Sequence, residues 1–105
     1  MTNMKGLRIK QTAYYDGKKI PLPFLIAKET LNCKMTKVRN RFNGEEIKLP
    51  AFAVAVYDVI MGSEQIASHT DRLHGDGTSP LWDTVRKGLD WFRKYFPKEY
   101  MVLLD

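Results

Sequence analysis

A chain of 105 residues, 44% hydrophobic and 28% charged, has enough apolar side chains for one domain with one core, and folding at this size buries roughly two-thirds of the unfolded surface. The same balance is far from the low-hydrophobicity, high-charge composition of a disordered chain, and the longest apolar run, Ala51 to Met61, is broken by Asp58 and falls short of the roughly 18 residues of a membrane span. Seventeen Lys and Arg against twelve Asp and Glu leave a formal charge of +5, which favours an anionic partner without naming one.

Leu7, Ile9, Ala13 and Tyr15 alternate with Arg8, Lys10, Thr12 and Tyr14 up to Asp16-Gly17, a pair suited to the positive φ of a tight hairpin turn. The return strand is Lys18 to Ile26, where Pro21 and Pro23 remove two backbone donors and so predict a sheet edge. Ala27 to Asn32 reads as a connection. A second hairpin follows, Cys33 to Phe42 and Glu45 to Leu49 about Asn43-Gly44.

The most apolar segment, Phe52 to Ile60, is rich in β-branched residues and predicts the central strand, with Gln65 to Thr70 returning beside it. Arg72 to Ser79 has loop composition. Pro80 then predicts a helix over 80–96, with Ser79 as N-cap and an apolar stripe of Leu81, Val85, Leu89, Phe92 and Phe96. Pro97 ends that helix, and Tyr100 to Leu104 predicts a last buried strand. The expected fold is α+β: an antiparallel sheet of about five to seven short strands on one C-terminal helix (80–96), with a final strand at 100–104.

Two groups of residues suit an anionic ligand. Lys37, Arg39 and Arg41 alternate along the third strand and so share a face, as a groove-entering or backbone-tracking hairpin requires; the same pattern also serves a solvated face that blocks edge pairing. Arg72, His74, Gly75, Gly77, Thr78 and Ser79 lead into a helix N-terminus, whose free N–H groups and positive dipole end attract phosphate. The loop lacks the Lys and spacing of a P-loop, and an ordinary capped helix entry is the simpler explanation of it. His69, Asp71, His74 and Asp76 are the one cluster of potential metal ligands, though without the repeated spacing of a zinc site.

Trp91 falls off the helical stripe between Lys87 and Lys94, where it either widens the buried face or anchors an interface. The lone Cys33 cannot form an intramolecular disulfide, has no catalytic partner in view and is expected to be buried; Met1 to Lys10 lacks the apolar region of a signal peptide. A reducing cytoplasm is the expected compartment. Neither an enzyme signature nor a cofactor-binding motif stands out.

The segments Lys48-Leu49-Pro50-Ala51-Phe52-Ala53-Val54-Ala55-Val56-Tyr57-Asp58 and Pro97-Lys98-Glu99-Tyr100-Met101-Val102-Leu103-Leu104-Asp105 resemble those of small accessory proteins of tailed phages. The resemblance implies action by binding a host component rather than by turnover, and carries over no functional residue. The expected role is thus a non-catalytic module binding nucleic acid or a nucleotide. The alternative is a protein-interaction module or inhibitor for a host protein, with a homo-oligomer as one form of it, using Trp91 or the edge strand Lys18 to Ile26; a metal-dependent hydrolase ranks third.

Overall fold

The computed structural model describes residues 11–40, 42–74 and 79–104. In chain order they form strands β1 (Thr12–Tyr15) and β2 (Lys18–Pro21), a 3-10 turn (Lys28–Thr30), strands β3 (Met35–Arg39) and β4 (Glu46–Pro50), and helices α1 (Ala51–His74), α2 (Leu81–Tyr95) and α3 (Pro97–Leu103). The class is α+β as expected. The described strands, however, make two separate antiparallel pairs, β1 with β2 and β3 with β4, in place of one sheet of five to seven strands.

Both hairpins form where the turn chemistry placed them, although Leu7 and Ile9 lie outside the described residues. Asp16 (φ 53°) and Gly17 (φ 74°) make the first turn, and Ala13 pairs with Ile20, both buried. The return strand stops at Pro21 rather than Ile26, because Pro21 and Pro23 cannot donate to a ladder. The Gln11 side chain takes over from it: its amide donates to Ile26 O (2.9 Å) and accepts from Ile26 N (2.6 Å).

The second turn runs through Asn40 and Gly44 (φ 77°). Asn40 N donates to Glu45 O (2.7 Å) and Gly44 N to Asn40 O (3.0 Å), so Arg39 lies opposite Glu46 and Lys37 opposite Lys48.

The segment expected to supply two central strands, Phe52 to Ile60 and Gln65 to Thr70, is instead the first five turns of α1. Phe52, Ala53, Val56, Tyr57, Ile60, Ser63 and Ala67 are its buried positions, and steps of three and four place them on one helical face. Ala51, Ala53 and Ala55 favour the helix intrinsically, and Phe52 N, unpaired within the helix, donates to Asn32 O (3.1 Å).

The helix expected over 80–96 is α2. The last predicted strand, 100–104, is helical, because Pro97 both closes α2 and starts α3 at a position where its missing N–H costs nothing.

The core lies where the start of α1, the end of α2 and the first hairpin meet. Phe52 and Phe92 are fully buried. Tyr15 meets Phe52 edge-on (ring centroids 5.9 Å apart), and Trp91 meets Phe92 at 5.1 Å and Phe96 at 5.5 Å. Such edge and tilted pairs stabilise beyond their buried area. At Gly88, α2 approaches α1 so closely that an added Cβ would sit 2.3 Å from the Ile60 side chain.

Candidate nucleic-acid interface

The second hairpin puts its two faces to different uses. Val38, Ile47 and Leu49 pack inward, so strand alternation turns Lys37, Arg39, Glu46 and Lys48 outward. Lys37 stands directly across from Lys48, and like charges at such a pair repel. One carboxylate offsets this in part: Glu46 lies 3.1 Å from the Arg39 guanidinium and 3.7 Å from Lys37 Nζ. The Arg39 hydrogen bond, then the Lys37 charge, hold the Glu46 carboxyl below its ordinary value. Two cations thus share one carboxylate on an open face, with Lys48 across from Lys37.

The hairpin tip is built on a buried side chain. Asn40 Nδ2 donates to Val102 O of α3 (2.6 Å), while its Oδ1 accepts from Phe42 N (2.7 Å) and Asn43 N (3.3 Å). This ties the turn to α3 and holds Phe42 out into solvent, where the residue is 93% exposed. An exposed aromatic ring at the tip of a hairpin that carries cations can stack on a base while the cations meet phosphates.

Of the sequence-predicted site, the structure brings Lys37 and Arg39 together. Arg41 lies outside the described residues. Arg72 is exposed in the last turn of α1, 21 residues beyond the β4-α1 junction and so about 30 Å along the helix. Arg72 therefore sits at the far end of α1 from the basic strand and does not join its site. Gly75, Gly77 and Thr78 fall outside the described residues, as does the His74 side chain; Ser79 Oγ accepts from Leu81 N at 3.3 Å.

Trp91 is not a surface anchor. It is only 6% exposed, and its indole N–H donates to Pro21 O (2.7 Å), tying α2 to the first hairpin. Cys33 is exposed rather than buried, with its thiol donating to Tyr14 O (2.8 Å). His69 and Asp71 would share a face of a strand; on α1 they point about 200° apart. Asp71 Oδ2 turns inward to accept from Trp82 Nε1 (2.8 Å). Asp76 lies outside the described residues, among which no three His, Cys, Asp or Glu side chains converge.

Sequence reasoning missed two contributors, Phe42 and Lys48. Phe42 looked like a strand residue, and the register that sets Lys48 beside Lys37 depends on Asn40 opening the turn. A second group was also missed: Lys18, Lys19 and Lys94, with Asp16 among them, line a hollow of about 220 Å³ together with Tyr15 and Tyr95.

Compared with known proteins, the chain matches no family model, and no curated protein or solved structure matches it. Among the described residues no helix is long and apolar enough to cross a membrane.

Proposed function

We propose that the protein is a non-catalytic binding module that engages nucleic acid through the outer face and tip of the β3-β4 hairpin. The observation that carries this reading is the pairing of an aromatic tip, Phe42, with the cationic face of Lys37, Arg39 and Lys48. The Lys37-Lys48 apposition is a local cost that a bound phosphate would relieve. Phe42 supplies a stacking surface that accepts any base. The resemblance to phage accessory proteins supports binding over turnover.

The test is fluorescence anisotropy with labelled single-stranded DNA, duplex DNA and RNA across a salt series. Native protein should bind with affinity falling steeply in salt. A Lys37→Ala, Arg39→Ala, Lys48→Ala triple variant should flatten the slope of log K against log salt by about two to three. Phe42→Ala should weaken single-strand binding by about 1–3 kcal/mol and leave the slope unchanged. Binding absent at low salt, or unaffected by either variant, would overturn the proposal.

A second reading, a module for a protein partner such as a host protein, is favoured by one observation, the exposure of Ile66 (58%) and Leu73 (69%) on α1. It no longer draws on Trp91.

A further inference from the structure

About 120° around the helix from its buried face, α1 carries a second, mostly apolar stripe, half-buried at Ala55, Val59 and Gly62 and exposed at Ile66, His69 and Leu73. Ala55, Val59, Gly62, Ile66, His69 and Leu73 follow one another at steps of 4, 3, 4, 3 and 4, the repeat of a helix that pairs with another helix. Ile66 and Leu73 are well exposed, Leu73 at 69%. At the other end of the stripe an apolar hollow of about 390 Å³ lies between α1 and the segment after β2, lined by Leu25, Ile26, Val54, Ala55 and Val59 among others.

Gly62 is the residue hardest to explain within one chain. A glycine inside a helix weakens it relative to alanine. Gly88 has its reason in the close approach of Ile60, but a Cβ at Gly62 would meet no atom within 4 Å. A helix backbone bare at the centre of an apolar stripe suits the close approach of a second helix.

We propose that two copies of this chain pair through α1, antiparallel, about a two-fold axis midway between Gly62 and Ile66. The stripe is self-complementary about that point. Ile66 of each copy faces Gly62 of the other, and Val59 faces His69. Leu73 of each copy falls on Ala55 of the other, where it enters the apolar hollow; one knob and one hollow per copy, equidistant from the axis, give the isologous contact of a closed dimer. Charge agrees with this orientation. Asp58 and Arg72 flank the stripe on the same side, and neither forms an ion pair among the described residues; antiparallel pairing sets Asp58 beside the second copy's Arg72 at both ends. A parallel pairing would carry the second copy's Asp58 and Arg72 to the other side of the seam, where neither meets its counterpart.

The mass of the full chain is measured by sedimentation equilibrium over a range of concentrations, alongside three variants. Native protein should show twice the chain mass. Gly62→Arg places a long charged side chain on the axis and should give monomer, while its helical circular dichroism and thermal midpoint stay at or above those of native monomer, because the site is open and arginine favours a helix. Asp58→Arg should raise the dimer dissociation constant about tenfold or more, and Asp58→Arg with Arg72→Asp should restore it. A native monomer at every concentration would overturn the proposal. A dimer unaffected by Gly62→Arg would overturn it equally, as would an Asp58→Arg defect that the double reversal fails to rescue.

Discussion

Both hairpins turn through a glycine of positive φ, Gly17 at 74° and Gly44 at 77°, and both alternate apolar with polar residues, but they are anchored differently. The first is held by its body: Ala13, Ile20 and Tyr15 enter the core, and Pro21 O receives the Trp91 indole. The second also buries one face, through Leu49, Val38 and Ile47, but it is tied at its tip as well, where Asn40 reaches α3, and its outer cations and Phe42 remain in solvent. The alternation is the same; what packs behind each strand decides which hairpin is structural and which is free to bind.

The largest expected effect comes from cutting the first hairpin off the core. Trp91→Ala removes a buried aromatic and leaves Pro21 O without its donor, and should destabilise the fold by about 3–5 kcal/mol in urea denaturation. Trp91→Phe keeps much of the packing and should cost less. Equal losses in the two variants would show that the hydrogen bond, not the packing, holds that hairpin.

Asn40→Ala comes next, with about 1–3 kcal/mol expected, because Val102 O, Phe42 N and Asn43 N lose a common partner. It should also weaken nucleic-acid binding although Asn40 itself is buried away from any ligand. A stability loss with unchanged affinity would mean that the tip need not be held in place.

Glu46→Gln gives a smaller effect of known sign. The Glu46 carboxyl is held low in the folded protein, by Arg39 first and Lys37 second. Its stabilisation is therefore present above the carboxylate's unfolded value and is lost as pH falls through the folded one. The variant should melt slightly below native at neutral pH and level with it in acid. It should also bind nucleic acid more tightly, since Arg39 and Lys37 are released. Asp58, raised by burial alone, has the opposite sign: Asp58→Asn should slightly stabilise the monomer at neutral pH, and the difference should vanish in acid.

Local chemistry made part of this architecture legible. Asp16-Gly17, Asn43-Gly44 and Pro80 each fix a backbone conformation by themselves, and the turns and helix start they signal are present. The run from Phe52 to Ile60 is apolar at both strand and helix spacing, so only its continuation to Ala67 and the packing of Ile60 against Gly88 settle it as helix. Pro97 stops one helix and starts another with equal ease, and the choice lies in whether Tyr100 and Leu103 reach the core. At the site, Lys37 and Arg39 were visible as an alternating pair. Lys48 and Phe42 were not, because their placement depends on Asn40 bonding to a carbonyl 62 residues away.

The most direct test of the contrast between the hairpins is an amide NMR titration of the native protein with a short single-stranded oligonucleotide. Shift changes concentrated on residues 34–48, largest around Phe42, with β1 and β2 unmoved, are the predicted result. Changes centred instead on Lys18, Lys19 and Lys94 would contradict the account, placing the binding surface on the hairpin assigned here to the core.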